Sequence, residues 1–525
     1  MGHYERSEEP SLVRIIIQAL LSVFWLAGCG WSTHPPANTE PAITIDATPL
    51  PIQASANTTP TKPDSAQLTL APAITPPPAT STPSATPTLA PISPSTSYSL
   101  TVQFNYYYQY VSVLEKVSYT NPTTETITNL VFLAEPNRYP GCLVLKGMAW
   151  GNGGAVEGYT LEGNRLSLPL PQALPPRGNV GLTIEYDLDL PSIPPPAETT
   201  RPVPFGFTDR QTNLVDWYLF LPPYQAGQGW QTHDPWYYGE HQVYDVADFQ
   251  VQMQIENAAS GMVVAASALP VQSGNLYTFE HQQARSFALS ISPSYQVISE
   301  TVGSVTVYSY AFTLDEKASR MVLKNTVEAV ALYSERFGPY PHASLSVVEA
   351  DFLDGMEYDG LYFLSRGFYN LYDGSPKGYL TMIAVHETAH QWSYGLVGND
   401  QAMEPWLDEA LCTYSEELFY EKAYPNQVDW WWYFRVNYYE PKGWVNKPIY
   451  AFDGFLPYRN AVYLRGATFL EELRKQIGDE AFFATLKDYA ARKSHQQATT
   501  ADFFAVLKQH SAVNIDDLVN EYFQP

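Results

Sequence analysis

A change of hydrophobic period near residue 313 constrains the fold more than any other feature. Before it, short segments alternate apolar and polar residues: GLTIEYDLDL (Gly181 to Leu190) does so without a break, and Phe249, Val251, Met253 and Ile255 repeat the pattern. Period-2 alternation belongs to half-buried strands. Turn signals separate the segments, among them Asn121-Pro122, GNGG at 151–154 and Pro191. Residues 98–302 therefore read as an antiparallel β-rich domain. One more strand, Val305 to Phe312, precedes the change. Beyond it Asp315 is placed to cap a helix with Val327, Val330, Ala331 and Ser334 on one side, ending at Gly338-Pro339. Helices are expected at 378–394, 405–421, 461–477, 479–492 and 500–510, with one strand near Leu345 to Ala350. The chain thus reads as multidomain α+β, its second part (303–525) mostly helical. GNGGAVEG lacks the spacing of a dinucleotide loop and reads as a turn.

The first hundred residues call for a different description. An apolar run from Ile15 to Leu26 is too short to span a bilayer and is followed by LAGC, Leu26 to Cys29. It reads as an export signal over 1–28. LAGC resembles the bacterial lipobox, which implies that Cys29 is the lipidated first residue of the mature chain. Residues 29–97 follow as a stalk: from Pro35 to Ser97 no Phe, Tyr or Trp occurs, and Pro, Thr, Ser and Ala dominate. Such a segment cannot bury enough apolar surface to offset chain entropy. Lipid, stalk and folded head together place the protein in a bacterial cell envelope, outside the cytoplasm, meeting the membrane only through its anchor. The 54 acidic against 29 basic residues, a formal charge of -25, disfavour nucleic acid as a partner. Three cysteines, Cys29, Cys142 and Cys412, are too few for a disulfide framework, and Cys142 and Cys412 are expected unpaired.

The chemistry is concentrated in VHETAHQWSY (Val385 to Tyr394). His386 and His390 stand at i and i+4, so one helical face turns both imidazoles to a common point, and Glu387 can reach a water held there. In EPWLDEALCTY (Glu404 to Tyr414), Glu409 lies 19 residues past His390. A helix, a turn and an antiparallel helix would bring Glu409 back as a third ligand. Two histidines and a glutamate leave one position of a zinc ion open, as catalysis requires.

With HETAHQW at 386–392, WLDEA at 406–410, DGMEYDG at 354–360 and YLRGA at 463–467, the sequence resembles the membrane alanyl aminopeptidase family of gluzincins. The resemblance implies a thermolysin-like zinc catalytic domain behind a saddle-like β domain, and one Zn2+. Gly355, Met356 and Glu357 resemble the family's substrate-binding strand edge, with Glu357 gripping the free α-ammonium of a peptide. Tyr463 resembles the tyrosine that donates to the tetrahedral oxyanion, and Tyr458 is a lesser helper. Tyr358 and Ser393 depart from the residues commonest in the family. No residue of the β-rich part is assigned as a second amine-binding group; the stretch Asp209 to Trp217 is a candidate to which no role is assigned.

The expected activity is removal of amino-terminal residues by a metal-activated water, with Glu387 as proton shuttle. Two other readings remain: a thermolysin-type endopeptidase, which would ignore the free terminus, and a tethered binding protein without catalysis.

Overall fold

A computed structural model describes residues 94–199 and 201–524. The expected export signal, the Cys29 anchor and nearly all of the stalk fall outside the described residues. The first strand, Thr96–Asn105, starts two residues before Tyr98.

That strand lies in the middle of a seven-stranded sheet. Its neighbours are Ala247–Glu256 on one side and Tyr110–Thr120 on the other, the latter paired in turn with Asn179–Asp189. Alternation works as the sequence implies: Tyr98, Leu100, Val102 and Phe104 are buried, as are Phe249, Val251, Met253 and Ile255. In Asn179–Asp189 the buried set is Leu182, Ile184, Tyr186 and Leu188, with Asp187 also withdrawn from solvent. One feature departs from an antiparallel sheet. Thr96–Asn105 and Ala247–Glu256 run parallel, Tyr98 opposite Phe249, because the chain between them crosses to other sheets and returns in the same sense.

The second part is not purely helical. A five-stranded sheet has the order Tyr295–Val302, Val305–Phe312, Ser344–Ala350, Leu361–Ser365, Gly355–Tyr358. Its first strand precedes residue 303. Every residue of Leu361–Ser365 is buried, so that strand carries no alternation to reveal it. Gly355–Tyr358 is the edge, paired antiparallel with Glu357 opposite Tyr362.

Helix Glu316–Phe337 packs with Val322, Leu323, Thr326, Ala329, Val330, Tyr333 and Phe337 buried. Of the expected face, Val327 and Val330 are buried, while Ala331 is exposed and Ser334 only partly covered. Asp315 occupies the cap position but makes no side-chain capping bond.

Tyr379–Ala389, which carries HETA, is buried at every position from Leu380 on. It lies against Trp406–Ala423, buried from Trp406 to Tyr420. The Tyr333 hydroxyl donates to the Val385 and Ser415 carbonyls (3.2 and 2.9 Å), bridging the two helices. The expected continuous helix to 394 stops at Ala389, and a π-helical turn, Gln391–Leu396, follows with Ser393 off helical geometry. Likewise the expected helix from 461 opens with a π turn, Asn460–Leu464, before Arg465–Ile477. There the glycine of YLRGA meets the alanine of WLDEA: a Cβ on Gly466 would lie 2.4 Å from that of Ala410. Only glycine lets these helices approach so closely. Among the described residues no helix is long and apolar enough to cross a membrane.

Candidate active site

The i, i+4 spacing places the His386 and His390 rings 4.8 Å apart. Glu409, in the first turn of its helix, sends Oε2 to within 3.2 Å of His386 Nε2 and 3.7 Å of His390 Nε2. All three side chains are buried. The other ring nitrogens are held from behind. His386 Nδ1 lies 3.0 Å from Glu416 Oε1, and His390 Nδ1 lies 2.6 Å from Asp408 Oδ1. Glu416 accepts from both sides of the Arg435 guanidinium and from the Trp431 indole, while Asp408 accepts from Gln401 at 2.6 Å. Carboxylates behind Nδ1 fix the rings with Nε2 forward, the arrangement that makes imidazole a good ligand.

Two nitrogens and one carboxylate oxygen, mutually within 4.8 Å, are the donor set of a borderline divalent ion such as zinc. Electrostatics agree. Burial alone would pull the His386 pKa down, but Glu409 and Glu416 outweigh it and raise it to about 9, so the pocket favours positive charge. Glu387 meets the same test: its Oε2 is buried without a hydrogen-bond partner, a carboxylate oxygen aimed where a polar reactant is needed.

Glu387 is also what explains the glycine of GMEY. A Cβ on Gly355 would stand 2.1 Å from Glu387 Oε1 and 2.8 Å from Ile383 Cγ2. The edge strand and the HETAH helix touch at this point, with Met356 partly exposed beside it. Glu357 follows, buried, its Oε1 3.4 Å from Gln401 Nε2. Burial raises its pKa to about 7; Asp408 and Glu409 push in the same direction and His390 opposes them.

Tyr463 donates its hydroxyl to Glu409 Oε1, and its ring lies parallel to that of His386 at 6.1 Å. Tyr458 is fully buried, edge-on to Tyr463 at 5.6 Å, with its hydroxyl unbonded. The expected site residues His386, Glu387, His390, Glu409, Gly355, Met356, Glu357 and Tyr463 thus converge on one place.

Asp209 to Trp217 does not join them. Gln211 and Asn213 bond to Ser290 and Tyr295, and Arg210 pairs with Asp351. The β-rich part instead contributes Glu240. Its pKa is driven well up by withdrawal from water and then by the charges of Glu357 and Glu409. The loop bearing it is docked by Tyr238 donating to the Phe452 carbonyl at 2.6 Å, Tyr450 donating to the Asp234 carbonyl at 2.7 Å, and His233 against Asp400 at 2.9 Å. Gly239, at φ +70°, has no room for a side chain, since a Cβ would lie 2.8 Å from Ile449 Cγ2. Sequence reasoning missed Glu240 because no spacing rule links it to the helices. Glu416 was findable, being two helical turns after Glu409 on the same face.

Residues 321–522 match the model of the Peptidase family M1 domain. Aminopeptidase M1-B of Oryza sativa subsp. japonica is 27% identical over 199 residues, 35% of this chain and 23% of the rice protein. Aminopeptidase N of Streptomyces lividans is 27% identical over 139 residues, 24% of this chain and 16% of that protein. The matched stretch is thus less than a quarter of the length of either relative. Among solved structures, a mutant M1 zinc metallopeptidase from Deinococcus radiodurans bound to a Tyr-Ser-Ala substrate superposes with a TM-score of 0.56 at 18% identity, covering 82% of this chain and 94% of that one. The likeness shows a shared fold, β-rich part and helical part together. From strand edge to the histidine-bearing helices, residues 321–522 thus match the peptidase family M1 domain.

Proposed function

We propose that the protein is a zinc-dependent aminopeptidase that removes residues from the free amino terminus of peptides. The observation carrying this reading is the pair Glu357 and Glu240 beside the His386, His390, Glu409 triad. Two buried carboxyl groups that feel each other and Glu409 suit a substrate ammonium, whose positive charge would favour their ionised forms. A zinc ion held by His386, His390 and Glu409 supplies Lewis acidity and an activated water.

The chain's own groups do the rest. Glu357 and Glu240 hold the α-ammonium, so that only the first peptide bond reaches the centre. The edge strand Gly355–Tyr358 offers backbone groups to an extended substrate. Glu387, with one oxygen unbonded, takes the proton of the attacking water and passes it to the leaving amine, a role worth about 10²–10⁴-fold. Tyr463 turns its hydroxyl from Glu409 to the developing oxyanion, a contribution of about 3 kcal/mol.

The test compares a free peptide with its amino-acetylated twin, with and without chelator. The proposal expects stepwise trimming of the first, sparing of the second, and loss of activity on chelation that zinc restores. Cleavage of both at internal bonds would instead assign an endopeptidase. No turnover of either by zinc-loaded protein would assign a binding protein. We infer further that the protein works at the outer face of a bacterial membrane, tethered through Cys29. The LAGC motif supports this, and radiolabelled palmitate incorporation that is lost in Cys29→Ala would test it.

A further inference from the structure

Outside the cleft, three ligand-type side chains from separate elements converge. His281 lies on strand Leu276–Ala284 of the β-rich part, His342 precedes strand Ser344–Ala350, and Asp359 sits at the turn after Gly355–Tyr358. His342 Nε2 lies 2.7 Å and His281 Nε2 4.0 Å from the same oxygen, Asp359 Oδ1, and the two imidazole rings are 4.4 Å apart. His281 and Asp359 are buried and the His342 side chain is 10% exposed. The three ligand atoms lie within 4.8 Å of one another.

The carboxylate is oriented for this arrangement. Asp359 Oδ2 accepts the Arg285 backbone N–H at 2.9 Å, which leaves Oδ1 facing both rings. The second imidazole, His281, brings another ring nitrogen to the same carboxylate from a separate strand. His281 Nε2 also makes a long hydrogen bond of 3.3 Å with the Asp359 carbonyl oxygen, which keeps that nitrogen turned toward Asp359.

We propose that His281, His342 and Asp359 form a second divalent-metal site, of the zinc class, that clamps the amine-binding strand to the β-rich part. Two imidazole nitrogens and one carboxylate oxygen select a borderline ion over calcium or magnesium. The clamp is joined to the catalytic elements by the adjoining residues. Gly360 N–H donates to Gln391 Oε1 at 2.9 Å, and Gln391 Nε2 donates to the Tyr358 carbonyl at 3.0 Å, directly after His390 and Glu357 in their own segments. The proposal does not depend on the peptidase activity inferred above.

The full chain, stripped with chelator and dialysed against zinc alone, is expected to retain two ions per chain by plasma mass spectrometry. The His342→Ala and His386→Ala variants should each retain one, with circular dichroism reporting that they are folded. An anomalous difference map of zinc-loaded crystals, which needs no variant, should show a peak among the three side chains. One ion per wild-type chain would overturn the proposal, as would two ions in folded His342→Ala, or an anomalous map without that peak.

Discussion

Gly355→Ala is the sharpest perturbation of the proposed mechanism, because it adds a single methyl group to a strand that makes no metal contact. The added carbon would stand 2.1 Å from Glu387 Oε1, 2.6 Å from Glu387 Cδ and 2.8 Å from Ile383 Cγ2. The helix side chain Ile383 is packed in the core, so the carboxylate must give way, by roughly 1 Å to restore ordinary contact. A displacement of that size at a reacting group costs about 10²-fold in rate, or about 3 kcal/mol of barrier. His386, His390 and Glu409 are untouched, so zinc content should equal that of the parent. Turnover of an aminoacyl fluorogenic amide, with zinc measured on the same sample, separates the two effects. The expected result is a large fall in kcat, a smaller change in KM and full metal occupancy. A Gly355→Ala enzyme with kcat within about threefold of the parent would refute the reasoning, since the proton shuttle would then tolerate the intrusion.

Three further outcomes are expected. Glu357→Gln removes one charge-assisted bond to the substrate ammonium and should lower kcat/KM on free-amine substrates by about 10–100-fold, while activity on acetylated ones stays at its low baseline; steady-state kinetics on matched substrates report it. Asp408→Asn frees the Nδ1 side of His390 and should weaken zinc binding by about 10–100-fold, read by competition with a chromogenic chelator. Glu135 supplies a pH test: burial would raise its pKa, but His241 and Arg138 hold it down at about 2. A carboxylate depressed in the folded state stabilises above its unfolded value and loses that contribution as pH falls through the folded one. Thermal melts of wild type should therefore drop between about pH 4.5 and pH 2 more steeply than those of Glu135→Gln, and equal slopes would remove Glu135 from the account.

The reach of the sequence can be judged residue by residue. Strands such as Ala247–Glu256 were legible because one face is wet and the other dry, which imprints alternation. Leu361–Ser365 was not, because it is buried on both faces and reads only as apolar. In helix Glu316–Phe337 the buried face holds the expected Val327 and Val330, but its edge was not legible, since Ala331 is apolar enough to suit either side. For the site, His386, His390 and Glu409 are bound by helical spacing to their partners, and such spacing is written in the sequence. Glu240 obeys no such rule. Its position depends on how a loop folds across another part of the molecule, which the packing of Gly239 against Ile449 and Tyr458 and the hydrogen bonds of Tyr238, Tyr450 and His233 determine.

The docking of that loop by Tyr238, Tyr450 and His233 has a consequence for modularity. Hydrolytic power and the ability to recognise a peptide's first residue are supplied by different stretches of polypeptide. A fragment keeping only the helices would still own its ligands, yet it would have lost half of its sense of where a peptide begins. On the proposed reading, exopeptidase character is a property of the junction, which neither half would possess alone.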